Sequence, residues 1–412
     1  MIHLLNLAIK SMWNRKLSIS LMLASGTLSI FLLLAVEKVR IGAYEGFKNT
    51  LSGTDLIVGG RTGPINLLLY SVFRIGSPTN NISWKSYQWL QEHEEIEWIV
   101  PISLGDSFKG FRVVGTTDSY FEHYRYGDSR KLALAKGKLF HSPFEVVLGS
   151  TVAKKQELKV GDSVILSHGL GGGFQKHKEN PFTVVGVLSP TGTPVDKAVH
   201  VSLLGLEAIH IGWRDDKRNE LDHSLESITP EAVTALLVGL RSKLGIFQVQ
   251  REVNTFKSEP LLAILPGVTI SELWSLVSVA EEALRLVALC VFIAALFGII
   301  ASMLTTLQER RREMAILRSV GAKPHQISLL LLFESGTISF LSCVLGTLIL
   351  SVGIFVFSDT FQELLGLRLH WSFTWHDCFL LLVFFLIGTL SGVIPALQAY
   401  RTSLQDGLMI RV

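Results

Sequence analysis

Apolar and polar positions divide this chain into four long hydrophobic runs and one long mixed stretch. Leu17–Val36 is 20 residues without a charge, enough to cross a ~30 Å hydrocarbon core at ~1.5 Å per residue. It is too long for a signal-peptide core and no small-x-small cleavage site follows, so it reads as an uncleaved anchor. Three further runs predict three more spanning helices: Leu286–Leu307, Ile327–Phe357 and Phe379–Leu397. Ahead of the first span, Ile2–Trp13 places Leu4, Leu5, Ala8, Ile9 and Met12 at helical spacing, as in a helix lying in a headgroup layer.

The mixed stretch, Glu37–Arg285, alternates strand and helix patterns. Asp55–Gly59, Ile96–Leu104, Phe111–Thr116 and Val233–Leu240 read as strands, with helices over Ser83–Glu95 and Lys243–Phe256. Between them, Phe144–Leu148, Ser163–His168, Phe182–Leu188 and Ala198–Leu203 are strand-like, so residues 117–225 are expected to form a β-rich subdomain inserted into an α/β one. The first span stays helix-compatible to about Asn49. A capping box at Thr269 and Glu272 opens a helical pattern that enters the second span without a breaker, which predicts a paired helical stalk. Ile65–Phe73 is apolar, and its pattern fits a buried segment and a partner-binding hook equally well.

Basic residues orient these elements. Lys10, Arg15 and Lys16 precede the first span, Arg310, Arg311, Arg312, Arg318 and Lys323 lie between the second and third, and Arg401 and Arg411 follow the fourth; Ser358–Cys378 holds only Arg368. Positive-inside asymmetry therefore puts both ends and the 308–326 connection inside, and 37–285 and 358–378 outside. The tally becomes residues 1–16 inside, spans at 17–36, 286–307, 327–357 and 379–397, and a tail at 398–412. Membrane lipid is thus an expected partner.

The 308–326 connection is more than a topology signal in its pattern. Met314, Leu317 and Val320 recur at helical spacing, and Glu309 and Glu313 sit one turn apart beside the arginines. Gly321 can take a left-handed cap and Pro324 cannot continue the preceding helix. The words E-R-R-R-E-M-A-I-L-R-S-V-G-A-K-P-H-Q-I closely resemble the coupling segment of ABC-transporter permeases related to MacB, LolC/LolE and FtsX. V-V-L-G-S-T-V-A, L-K-V-G-D-S-V, F-T-V-V-G-V-L and T-G-T-P-V-D resemble the periplasmic domain of the same superfamily. The resemblance implies a four-helix membrane protein with a large α/β (α+β) periplasmic domain between helices 1 and 2. It also implies a bacterial inner-membrane location and two copies of a cytoplasmic ATPase docking on Glu309–Pro324. A second permease copy, as a homodimer, is expected too, with a periplasmic adaptor or substrate-binding partner as a further candidate.

Composition narrows the chemistry. The 48% hydrophobic content fits a membrane protein, and a net charge of +3 gives no case for nucleic acid. The three cysteines, Cys290, Cys343 and Cys378, fall in or beside spans, so the outer domain is expected to hold without disulfides. No G-x-x-x-x-G-K-[S/T] is present, so no enzymatic role is assigned to the chain, and ATP and Mg²⁺ are expected in the partner ATPase. The external histidines, including His168, His177, His200, His210 and His223, lack ligand-pair spacing, and no metal or cofactor site is predicted. Glu334 is the clear acid within the third span and is expected to face protein. Small-residue ridges at Ala294, Gly298, Ser302 and at Gly388, Gly392, Ala396, with a hydroxyl-rich one from Ser335 to Ser351, predict close helix packing. A different class of protein, a membrane-anchored sensor or scaffold or a regulator of a cell-wall hydrolase, shares the topology but needs no ATPase.

Overall fold

The computed structural model describes residues 15–169, 181–214, 229–309, 319, 321–365 and 372–401. They fall into two compact units, one drawn from Met1–Gly42, Ser278–Phe361 and Leu369–Val412, the other from Ala43–Val277 and Gln362–Arg368.

Four helices are long and apolar enough to cross a membrane. They are α1 (Lys16–Lys48), α2 (Pro266–Glu309), α3 (Pro324–Leu365) and α4 (Trp375–Ser391), the last making a span over Trp375–Gln398 together with the helix Val393–Arg401 that follows it. α1 runs 12 residues beyond Val36, and α2 starts at Pro266, well before the apolar run. Pro266 sits at a first-turn position, where a missing N–H costs nothing. α4 opens on a full capping box: the Thr374 hydroxyl accepts from the Asp377 amide, and the Asp377 carboxylate accepts from the Thr374 amide.

The second unit is built on a large mixed sheet. Its main strands are β1 (Leu56–Gly60), β2 (Ile96–Phe108), β3 (Phe111–Thr116), β4 (Leu134–Gly137), β5 (Glu145–Leu148), β6 (Phe182–Leu188), β7 (Ala198–Ser202), β8 (Ala235–Leu240) and β9 (Leu261–Ile264). Their order is β9-β1-β8-β2-β3-β7-β5-β6-β4. The β3–β7 and β5–β6 pairs are parallel; the other neighbours are antiparallel. β2 joins the two halves: Ile96–Ile102 pairs with β8 and Ser103–Phe108 with β3, with a register shift after Leu104. β4, β5, β6 and β7, all within 117–225, therefore continue the same sheet.

Both faces of the central strands are covered, which explains why they read as unbroken apolar runs. Leu56, Val58, Leu236 and Val238 pack on one face with Leu90 and with Val249 and Val253 of the helix Ile246–Asn254. Ile57, Val100, Ile102 and Leu237 join Tyr70, Tyr120 and Phe121 on the other. In the second half Val146, Phe182, Val184 and Val199 form a third core with Leu206 and Ile209. The apolar stretch after Pro64 is a short α-helix continued by a π-turn, Leu69–Phe73, with Leu67, Leu68, Tyr70, Val72 and Phe73 buried. It is a core element of its unit.

Candidate functional site

The site begins where α2 ends and α3 starts, on either side of residues 310–320. Described residues of α2 end at Glu309; Arg310–Arg318 and Val320, including Met314 and Leu317, lie outside the described residues. At the far side Gly321 has φ 105°, in the left-handed region that a side chain disfavours. Nothing lies within 4 Å of where its Cβ would be, so backbone conformation, not space, favours glycine there. Pro324 then starts α3, and the Lys323 amide donates to Gln326 Oε1 at 3.0 Å. Glu334, 3% exposed, accepts a hydrogen bond from Arg15 Nη2 at 3.0 Å. A carboxylate within a span is costly when bare, and here a guanidinium from the start of α1 compensates it.

Above this pair the helices approach on glycine and serine. Ser335, Ser339 and Ser342 of α3 are fully buried. A Cβ on Gly392 would collide with Ser335, on Gly388 with Ser339 and on Gly26 with Ser342. α3 thus packs α1 on one side and α4 on the other through small residues. The Ser335 hydroxyl also donates to the Thr389 carbonyl at 3.0 Å, and Ala396 is buried. On α2 the buried face is Ala288, Ala295, Ile299 and Met303. Ala294 and Gly298 are exposed within the chain and Ser302 is half-buried; the atom nearest a Gly298 Cβ is Ser25 Oγ, at 4.0 Å.

The opposite ends of the same helices hold charges that the sequence reading did not pair. Lys38 Nζ of α1 meets Asp377 Oδ2 of α4 at 2.6 Å, both side chains being almost fully buried, and also donates to the Ser372 carbonyl at 2.7 Å. Beside them Arg40 bridges Glu37 (2.6 Å) and Glu281 (3.3 Å), Arg285 meets Glu281 at 2.9 Å, and His376 Nε2 lies 3.9 Å from Glu37. α1 is therefore tied to α2 and α4 by a charge network whose lysine–aspartate pair is the dry part. Such a pair contributes little net stability when intact but costs several kcal/mol when one partner is removed.

In the sheet unit, T-G-T-P-V-D forms a tight loop. The Asp196 carboxylate accepts from the Thr191 and Gly192 amides at 2.8 and 2.7 Å, and the Thr193 hydroxyl accepts from the Val195 amide. Gly149 of V-V-L-G-S abuts the Val195 and Asp196 carbonyls, where a side chain has no room. Nearby lies a polar knot in the core. The Tyr124 hydroxyl donates to the Thr50 carbonyl at 2.6 Å, and burial pushes the Tyr70 hydroxyl up to about 12. His200 of β7 is fully buried 5.4 Å from the Tyr120 ring, and neither imidazole nitrogen has a hydrogen-bond partner of normal geometry. Burial, then the charge of Arg74, lowers its pKa to about 3, with the Val147 backbone offsetting slightly. Among the described residues no three His, Cys, Asp or Glu side chains gather as a metal site; His177 and His223 lie outside the described residues.

Two family profiles match this layout in sequence. The MacB-like periplasmic core domain matches residues 21–255, more than half of the chain, and the FtsX-like permease C-terminal region matches 285–404. The chain belongs to the MacB/FtsX-like family of ABC-transporter permeases. As in that family, an N-terminal spanning helix precedes an α/β periplasmic domain and a C-terminal helical permease region. Among solved structures, the permease is similar to the periplasmic region of MacB from Actinobacillus actinomycetemcomitans, at 13% identity over 54% of this chain and 94% of that one, TM-score 0.36. It is also similar to the extracellular domain of the noncanonic ABC-type transporter YknZ from Gram-positive bacteria, at 14% identity over 51% and 99%, TM-score 0.30. No curated protein matches it.

In this permease, sequence reasoning singled out Glu334 but missed Arg15 as its partner, and it passed over Lys38 and Asp377. A lysine and an aspartate just outside two apolar runs are ordinary flanking charges by pattern. Only the helix pairing brings them together.

Proposed function

We propose that this permease is the membrane subunit of an ATP-driven envelope machine that transmits force across the inner membrane. In this reading two copies of a separate cytoplasmic ATPase, which supply the ATP and Mg²⁺ chemistry, dock on the 308–326 segments of a permease homodimer. Glu309, Arg310, Arg311, Arg312, Glu313 and Arg318 present a charged face, Met314 and Leu317 fill a groove, and Gly321 and Pro324 redirect the chain into α3. Closure of the ATPases then moves the periplasmic domains, for export, efflux or lipoprotein release, with an adaptor or substrate-binding partner on the outer side.

The observation that carries the reading is a basic, helix-patterned segment between the second and third spanning helices of a family-matched permease region. Its left-handed exit at Gly321 supports a segment of defined shape. Burial of a Leu or Met side chain is worth about 1.5–3 kcal/mol. Met314→Ser/Leu317→Ser should therefore weaken ATPase association by about two to four decades. The test is copurification of a cassette ATPase in mild detergent alongside a membrane-insertion assay. Normal insertion with ATPase binding and activity unchanged in the double variant would refute the proposal.

A further inference from the structure

The sheet unit contains a cavity of about 410 Å³ that the coupling reading does not use. That volume lies within the ~300–1,000 Å³ range of small-molecule sites. Its lining combines three aromatic rings, Phe47, Phe73 and Phe111, with three cations, Arg74, Arg112 and Lys197, and includes no carboxylate. Each cation is held there by local structure. Arg74 ends the π-turn with φ 61° and its Nη1 donates to the Ser71 carbonyl. Arg112, the second residue of β3, donates through Nη2 to the Gly76 carbonyl and, at 3.4 Å, to Ser77 Oγ. Lys197 closes the T-G-T-P-V-D loop.

All three are half-buried, and among the described residues none forms an ion pair with a carboxylate. Burial lowers the pKa of Arg112, and the neighbouring charge of Arg74 lowers it further. Burial likewise lowers that of Lys197, with Lys155 adding to it and Asp196 opposing. Asp196 is already engaged by the amides of its own turn. Positive charges collected in a recess without a counter-charge are unfavourable alone and favourable around an anion. The rings beside them call for an apolar body attached to that anion.

We propose that this cavity binds an amphiphilic anion, a compact phosphate, sulfonate or carboxylate group carrying a short apolar body. The headgroup sits among Arg74, Arg112 and Lys197, and the apolar part lies against Phe47, Phe73 and Phe111. The proposal stands apart from ATPase coupling, because binding is read with no nucleotide present.

The test uses the full chain in amphipol, free of detergent, titrated with octyl phosphate by calorimetry at low salt. Saturable one-to-one binding is expected, with inorganic phosphate much weaker and octyl glucoside unable to compete. Arg112→Gln and Lys197→Gln should each weaken binding by about tenfold or more, the scale of one lost charge-assisted hydrogen bond. Arg112→Lys and the control Lys257→Gln should stay within about threefold of the parent, since each keeps the cavity charge. Displacement by dihexanoyl phosphatidylglycerol assigns the natural ligand to lipid, and its failure to displace assigns it to a soluble amphiphile. Absence of saturable binding, equal competition by octyl glucoside, or unchanged affinity in both glutamine variants would overturn the proposal. Thermal melting of each variant identifies any that has merely unfolded, and the remaining one then decides.

Discussion

His200 offers a test in which one buried group sets the acid sensitivity of the sheet unit. It is fully buried on β7, beside Tyr120 and Phe121, with a pKa lowered to about 3 from an ordinary 6.5. Between those values the unfolded chain binds a proton that the folded one does not, so stability rises with pH and falls as pH drops through 6.5 toward 3. Integrating gives a loss of about 2 kcal/mol at pH 5 and about 3 kcal/mol at pH 4. A single ordinary carboxylate paired only in the folded state loses no more than about 0.2 kcal/mol by pH 5, and the difference between parent and variant over pH 7.5–5 removes what the other carboxylates and histidines contribute. His200→Leu removes the titrating group and two buried nitrogens that lack a hydrogen bond of normal geometry, at similar volume. Its stability at pH 7.5 should match or exceed that of the parent. Urea-dependent hydrogen exchange of the Ala198–Ser202 amides on the full chain at pH 7.5 and 5.0 measures the effect locally. Parallel losses in parent and variant would refute the buried neutral histidine as the cause.

Three further outcomes follow from the spanning helices. Asp377→Ala takes the counter-charge from the buried Lys38 ammonium and should cost about 3–5 kcal/mol of unfolding free energy, read in detergent; adding Lys38→Met should restore much of it. Gly388→Val drives a side chain into Ser339 and should destabilise by about 1–3 kcal/mol or more, whereas Gly298→Val, with open space around it, should stay within about 0.5 kcal/mol in a monomeric preparation. Gly321→Val forces a β-branched residue into φ 105° at a cost of about 1–3 kcal/mol, and should reduce ATPase association while insertion is retained.

What the sequence conveyed followed from how local each feature is. Twenty uncharged residues announce a span by themselves, and Phe111–Thr116 and Phe182–Leu188 coincide with the observed strands because β-branched runs bounded by turns are local signals. β9 was missed: Leu261–Ile264 is four residues long and runs straight into the helix at Pro266, so no period can be read from it. Ile65–Phe73 stayed undecided because an apolar helix buried in a core and one awaiting a partner have the same composition. The Lys38–Asp377 and Arg15–Glu334 pairs were illegible because each joins residues more than 300 positions apart. His200 looked like any other external histidine, since its burial comes from strands on both sides of β7 that the chain supplies elsewhere.

The strand order carries a consequence for biogenesis. β1 is an early strand of the external unit to emerge, yet both its neighbours come from the far end: Leu56 pairs with Val238, and Ile57 with Ile264. β2 likewise awaits β8 before its first half is paired. During translocation these apolar strands must stay open-edged until nearly the whole unit has crossed, and non-local pairing of this kind is slow and prone to mispairing. A chain stalled before Ala235 would leave β1 and the first half of β2 without partners. Envelope chaperones and proteases should therefore recognise the nascent permease chiefly through β1 and β2.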